Sequence, residues 1–137
     1  MKKINLQDVI LLVLSLLLAF GTEFFFHACP AKDDGSWMRC HWAENAVFAI
    51  GIALSVLALA RFFISDQKIK AGISFSFLSF SLLAVFVPGI VIPLCMMKDM
   101  RCHTIMRPAV VVISILIFIV SLVDFIVKIK SEKKARD

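Results

Sequence analysis

Nearly all the chemically versatile side chains of this sequence fall in two short segments. The first reads Cys29-Pro-Ala-Lys32-Asp33-Asp34-Gly-Ser-Trp37-Met38-Arg39-Cys40-His41, and the second Cys95-Met-Met-Lys98-Asp99-Met100-Arg101-Cys102-His103. Written as patterns they are C-x2-K-D-x4-M-R-C-H and C-x2-K-D-M-R-C-H, seven identities in one order with a single offset, the insertion Asp34 to Trp37. All four Cys, all three His (His27, His41, His103) and every Met except Met1 lie in or beside these two segments.

Three chemistries suit such a set. Outside the cytoplasm, paired Cys oxidise and staple loops. Four Cys allow three connectivities; pairing Cys29 with Cys40 and Cys95 with Cys102 gives each copy its own ring, worth on the order of 2 to 3 kcal/mol. Thiolate or thioether sulfur with imidazole suits Cu(I), and Cys with His suits zinc. The spacing works against metal, because there is no C-x2-C and an adjacent Cys-His pair rarely serves one ion. The expectation is therefore no metal, with His41 and His103 as the alternative ligands, and no cofactor. Thiol exchange is the third chemistry: Arg39 and His41 beside Cys40, and Arg101 and His103 beside Cys102, are cations that favour a thiolate.

The elements that position these loops are set by solvent. The chain has 137 residues, 61% of them apolar, and a mean hydropathy of +0.94. One soluble core does not need so much hydrocarbon, whereas four spans of about 20 residues use most of the chain and leave no room for a large domain in water. The expected spans are Val9 to Phe26, Ala43 to Ile64, Ala71 to Leu94 and Pro108 to Val127. Pro88-Gly89 and Pro93 predict a kink or an early end of the third span near Val87. In the second, Ala49/Ala53 and Gly51/Ser55 have the small-xxx-small spacing that allows close helix approach. At 100° per residue Ser74 and Ser81 share a face while Ser76 and Ser79 take the other, which favours back-bonding to the preceding turn over a polar pore stripe.

The fold class is thus all-α integral membrane, four helices forming two parallel-related hairpins with disulfide-stapled outer loops. Residues 1–137 are one domain, with hairpin repeats 1–70 and 71–137. A removable signal sequence is the rival reading of the first span, but no A-x-A site follows it and the loop repeat needs it retained. Of the 15 Lys and Arg, ten lie at the termini or between spans two and three, against 10 Asp and Glu in the whole chain. Among these ten are Arg61, Lys70 and Lys128, all read here as positive-inside signals that place both termini in the cytoplasm. The basic tail from Lys128 reads as a topology signal in a frayed helix end, with contact to anionic headgroups as the alternative, and no nucleic-acid role follows from the charge.

Near the loops, Glu23 and His27 share a helix face at i,i+4, and Glu44 is a first-turn anion of the second span. Both carboxylates join the candidate loop residues Met38, Arg39, His41, Met100, Arg101 and His103, though the preferred accounts are headgroup solvation of Glu23 or its pairing with Arg39, and the first-turn position for Glu44. Asp124 is expected to pair with Lys128 at i+4. Trp37 and Trp42 read as interfacial anchors.

At Met38-Arg39-Cys40-His41-Trp42, and at the Cys that follows Pro93-Leu94, the chain resembles a family of small bacterial four-span membrane proteins catalogued as domain of unknown function 4418. The second copy lacks the Trp. That resemblance implies an integral membrane protein with no assigned reaction and an association with exporters of the ATP-binding-cassette type. In topology alone the chain is similar to quinone-linked disulfide-forming membrane proteins, which carry a C-x-x-C pair that is absent here. With no ATP motif, no nucleophile triad and no connected intramembrane charge path in view, the expectation is a non-enzymatic accessory subunit of a larger complex in the bacterial inner membrane. A thiol-disulfide oxidoreductase is the alternative, and Cu(I) or zinc binding the third reading.

Intact mass with thiol alkylation, before and after reduction, separates these readings. Stapled loops leave no thiol to alkylate until reductant is added, and four alkylated thiols without reductant would rule the staples out.

Overall fold

The computed structural model describes residues 5–25, 33–37, 39–94, 96, 99 and 102–137, with Cys102 described in its backbone alone. Four helices make the fold: α1, Leu6–Phe24; α2, Arg39–Phe63; α3, Gln67–Phe86; and α4, Arg107–Arg136, entered through a π-helical turn at Cys102–Met106. Each is long and apolar enough to cross a membrane. The most extensive packing is within the hairpins, α1 on α2 and α3 on α4. α1 and α4 meet less extensively, and α2 and α3 less again.

The helix limits follow from local chemistry. Asp66 caps α3 by accepting the Lys68 backbone N–H at 3.0 Å, satisfying one of the four orphan donors of a helix start. α3 ends at Phe86, where Pro88 cannot continue it, and Gly89, at φ 105°, turns the chain in a conformation open to glycine. The third span is accordingly shorter than its apolar run. Pro108 sits in the first turn of α4, immediately after the π turn. One expectation needs correction. α2 begins at Arg39, four residues before the anticipated Ala43, so Glu44 lies beyond its first turn. α4 is helical through Arg136.

A buried stripe of Leu11, Leu18, Val47, Ile50, Leu54, Phe77, Val110, Ile113 and Ile117 forms the core. The outward faces carry large apolar side chains such as Val13, Val56, Phe75 and Ile119, the inverse of a soluble protein and the condition for solvation by lipid. Three buried serines return their hydroxyls to their own helix: Ser15 donates to the Leu11 carbonyl at 2.6 Å, Ser55 to Gly51 at 2.8 Å and Ser121 to Ile117 at 2.7 Å, whereas the Ser114 hydroxyl is buried without a partner among the described residues. On α3, Ser74 and Ser81 are buried, while Ser76 and Ser79 face outward and back-bond at 3.3 Å, the division that helical periodicity predicts.

The buried positions recur from hairpin to hairpin. Asp8, Leu11, Ser15, Leu18 and Thr22 of α1 are buried, and so are Ser74, Phe77, Ser81, Ala84 and Pro88, each 66 residues later. Ala43, Val47, Ile50, Gly51, Leu54, Ala58 and Arg61 match Met106, Val110, Ile113, Ser114, Ile117, Ser121 and Asp124, each 63 residues later. Cys40 and Cys102 are 62 apart, so a second offset, of one residue, separates the segments after the loops. It coincides with the π turn, whose wider winding takes up one residue without rotating the rest of the helix out of register.

Of the two small-residue pairs in α2, Gly51/Ser55 faces the bundle and Ala49 faces out. A Cβ at Gly51 would lie 2.7 Å from the Ala19 Cα and 2.8 Å from its N. Gly51→Ala is therefore expected to push α1 from α2 and destabilise the protein by about 1–3 kcal/mol. Gly72→Ala, with nothing within 4 Å, should be neutral or slightly stabilising, by about 0.4–1 kcal/mol. Unfolding midpoints in mixed detergent measure both.

Candidate functional site: a buried ionic cluster

At the end of the bundle that carries α1's start and the α2–α3 connection, five charged side chains converge from all four helices. They are Asp8 on α1, Arg61 on α2, Lys70 on α3, and Asp124 and Lys128 on α4, and all are buried, Arg61 completely. Arg61 is the centre. Its Nε donates to Asp8 Oδ1 at 2.8 Å, its Nη1 to Ser74 Oγ at 2.9 Å and its Nη2 to Asp124 Oδ2 at 2.8 Å. Nη2 also lies 2.6 Å from Asp8 Oδ1. Lys70 Nζ reaches Asp8 Oδ2 at 3.3 Å, and Lys128 Nζ reaches both Asp124 oxygens, at 2.8 and 2.7 Å. Ser74, its hydroxyl also within 3.0 Å of the Lys70 carbonyl, donates to Asp124 Oδ2 at 2.5 Å.

The chemistry of arginine explains the arrangement. A planar guanidinium offers five N–H donors in a fixed fork and stays charged in apolar surroundings, so one side chain can hold carboxylates on two different helices. Each carboxylate accepts from more than one donor, as a charge withdrawn from water requires. Two negative groups face three positive ones, leaving one net positive charge.

This overturns part of the sequence reading. Asp124 pairs with Lys128 as expected, but Arg61, Lys70 and Lys128, read as topology signals, are also partners in a buried ionic cluster at one end of the bundle. The sequence held a usable signal: Asp8, Arg61 and Asp124 each lie on the buried stripe of their helix, in step with the apolar positions that flank them.

A cleft of about 510 Å³ opens beside the cluster. Asp124 and Lys128 form part of its wall, with the polar side chains of Asn5, Gln7, Gln67 and Ser131.

The loop end is a second constellation. Trp37 stacks on the His41 ring at 4.1 Å between centroids, and Trp42 meets that ring edge-on at 6.3 Å. His41 also faces Asn45 Nδ2 at 3.2 Å and Glu44 Oε2 at 4.0 Å. Cys40 and Glu44 are buried, whereas Glu23, Arg39, Trp37 and Trp42 are exposed and His103 is half-buried. His27, Cys29, Met38, Cys95, Met100, Arg101 and the Cys102 side chain lie outside the described residues, and so do the pairings Cys29–Cys40 and Cys95–Cys102. Among the described residues no three His, Cys, Asp or Glu side chains converge as metal ligands would.

Arg61 ties the two hairpins together, and removing one partner of a buried ionic group costs about 3–5 kcal/mol. Arg61→Met should lose an amount of that order. Arg61→Lys should recover only part, since an ammonium has no fork to span Asp8 and Asp124, while Lys68→Gln, on the exposed side of α3, should match the parent. Reversible unfolding in mixed detergent gives the comparison, and an Arg61→Met protein as stable as the parent would show the cluster to be solvated.

No curated protein and no solved structure matches the chain. A family model, domain of unknown function (DUF4418), matches residues 11–127. With α2, α3 and most of α1 and α4 inside that match, the chain belongs to the DUF4418 family.

Proposed function

We propose that this protein is a non-enzymatic accessory subunit of a larger membrane complex, such as an ATP-binding-cassette transporter, and that its loop end makes the contact. The observation that carries this reading is the aromatic surface around His41. Trp37 and Trp42 are 56% and 62% exposed on either side of the imidazole. Exposed Trp beside Arg39 is the composition that dominates binding energy at protein interfaces. Internal charge pairing at the opposite end supports it, because a bundle clamped there presents its loops from a stiff base.

The two hairpins, 1–70 and 71–137, are copies in this reading, on the strength of the loop identities and the recurring buried positions. Both termini lie on the cytoplasmic side of the bacterial inner membrane, and the duplicated loops lie outside, where staples Cys29–Cys40 and Cys95–Cys102 hold them rigid.

Purification from native membranes in mild detergent tests the proposal. A defined partner should co-purify with the parent protein and be lost from Trp37→Ala/Trp42→Ala, which leaves the bundle core untouched. A parent protein recovered alone under several gentle conditions counts against it. Mixed disulfides trapped by Cys40→Ser, or quinone reduction, would favour the oxidoreductase reading instead. Stoichiometric Cu(I) or zinc lost on changing His41 and His103 to Ala would favour the metal reading.

A further inference from the structure

The cleft beside the ionic cluster has a composition that selects a ligand class. Its wall offers hydrogen-bond donors from Asn5, Gln7, Gln67 and Ser131, together with the Lys128 ammonium. The one carboxylate in that wall, Asp124, is already engaged by Arg61, Ser74 and Lys128, and the cluster behind it carries a net positive charge. Two helices begin at the cleft: α1 at Leu6 and α3 at Gln67. The α3 start is already capped by Asp66, and the Asp8 N–H of α1 is bonded to the Asn5 carbonyl, so the donors open to an anion are the side chains of the wall. Asn5 stands at the N-cap of α1, yet its side chain makes no capping hydrogen bond, which leaves its amide for a guest.

The same cleft has an apolar border. Leu6 and Val127 line it and are 73% and 52% exposed, at the level where the helices leave their apolar stretch. Donors and positive charge on one side, with exposed hydrocarbon on the other, match an amphiphile whose head is anionic. We infer that this cleft binds the phosphate of an anionic phospholipid headgroup, with Lys128, Gln67 and Ser131 holding the phosphate oxygens and Leu6 and Val127 meeting the glycerol and upper acyl chain. Basic pockets between membrane helices are suited to such headgroups. The site is separate from the loop end, so it stands or falls independently of the partner proposed there.

The test uses the full chain, delipidated in a neutral detergent, and reads its unfolding midpoint with added phosphatidylglycerol, phosphatidylcholine or inorganic phosphate. Phosphatidylglycerol should raise the midpoint by about 4–8 °C, the scale for a ligand that binds only the folded protein well above its Kd. Phosphatidylcholine should not. Gln67→Glu puts a negative charge at the mouth in a helix first turn that tolerates it, without touching the ionic cluster. It should keep the lipid-free midpoint and lose most of the shift, and Ser131→Asp should do the same should the first variant fail to fold. Lys133→Gln/Lys134→Gln, on the exposed tail, should keep the shift. A full shift with inorganic phosphate alone would assign the same anion site to free phosphate. Equal shifts from the two lipids, or a shift lost in the tail variant and kept in Gln67→Glu, would overturn the inference.

Discussion

A guanidinium with no exposure to solvent is the constraint on which the bundle depends. Arg61 cannot shed its charge, so the fold has to bring carboxylates to it, and both that it receives come from other helices. One of them, Asp8, belongs to its own hairpin, and the other, Asp124, to the second. The neighbouring helices with the least contact, α2 and α3, are joined there through Ser74. In hydrocarbon, apolar faces have no preference for one another over lipid, so helix association rests on packing and polar pairing. The Arg61 cluster supplies that pairing at one end, and the Gly51–Ala19 approach supplies close packing nearer the middle.

The recurrence of buried positions clarifies how such a cluster fits into two similar hairpins. The α1 position of Asp8 corresponds to Ser74 in α3, and the α2 position of Arg61 to Asp124 in α4. Identical residues at these places would set like charges together. The differences produce complementarity, since the cation of one hairpin faces the anion of the other and Ser74 is a neutral donor between them. The π turn preserves that register across the one-residue offset before α4. Without it, Asp124 would rotate by about 100° away from Arg61.

The two ends of the molecule divide its chemistry. One end has its charges paired inward and a polar cleft beside them. The other shows aromatic rings around an imidazole, with the duplicated Cys-His segments alongside. The length between them is apolar outside and inside, with buried serines such as Ser15 and Ser121 returning their hydroxyls to their own helices.

Much of the architecture was legible from composition and periodicity. Four spans, the end of α3 near Val87, the Asp124–Lys128 pair and the back-bonded serines all depend on local properties: apolar length, proline, and i,i+4 spacing. Helix starts were less legible, because Arg39 and His41 are helical without being apolar. The ionic cluster could not be read in the same way. Asp8, Arg61 and Asp124 are separated by more than fifty residues at each step, and near the ends of apolar runs such charges look like the ordinary solvated residues of a membrane boundary. Whether they face water or one another depends on how each helix is rotated and which helices are neighbours. The sequence determined that the chain makes four helices long and apolar enough to cross a membrane. Only the tertiary structure decided that their buried faces meet with Arg61 between Asp8 and Asp124, because a buried charge is stabilised by partners in space and sequence distance carries no record of them.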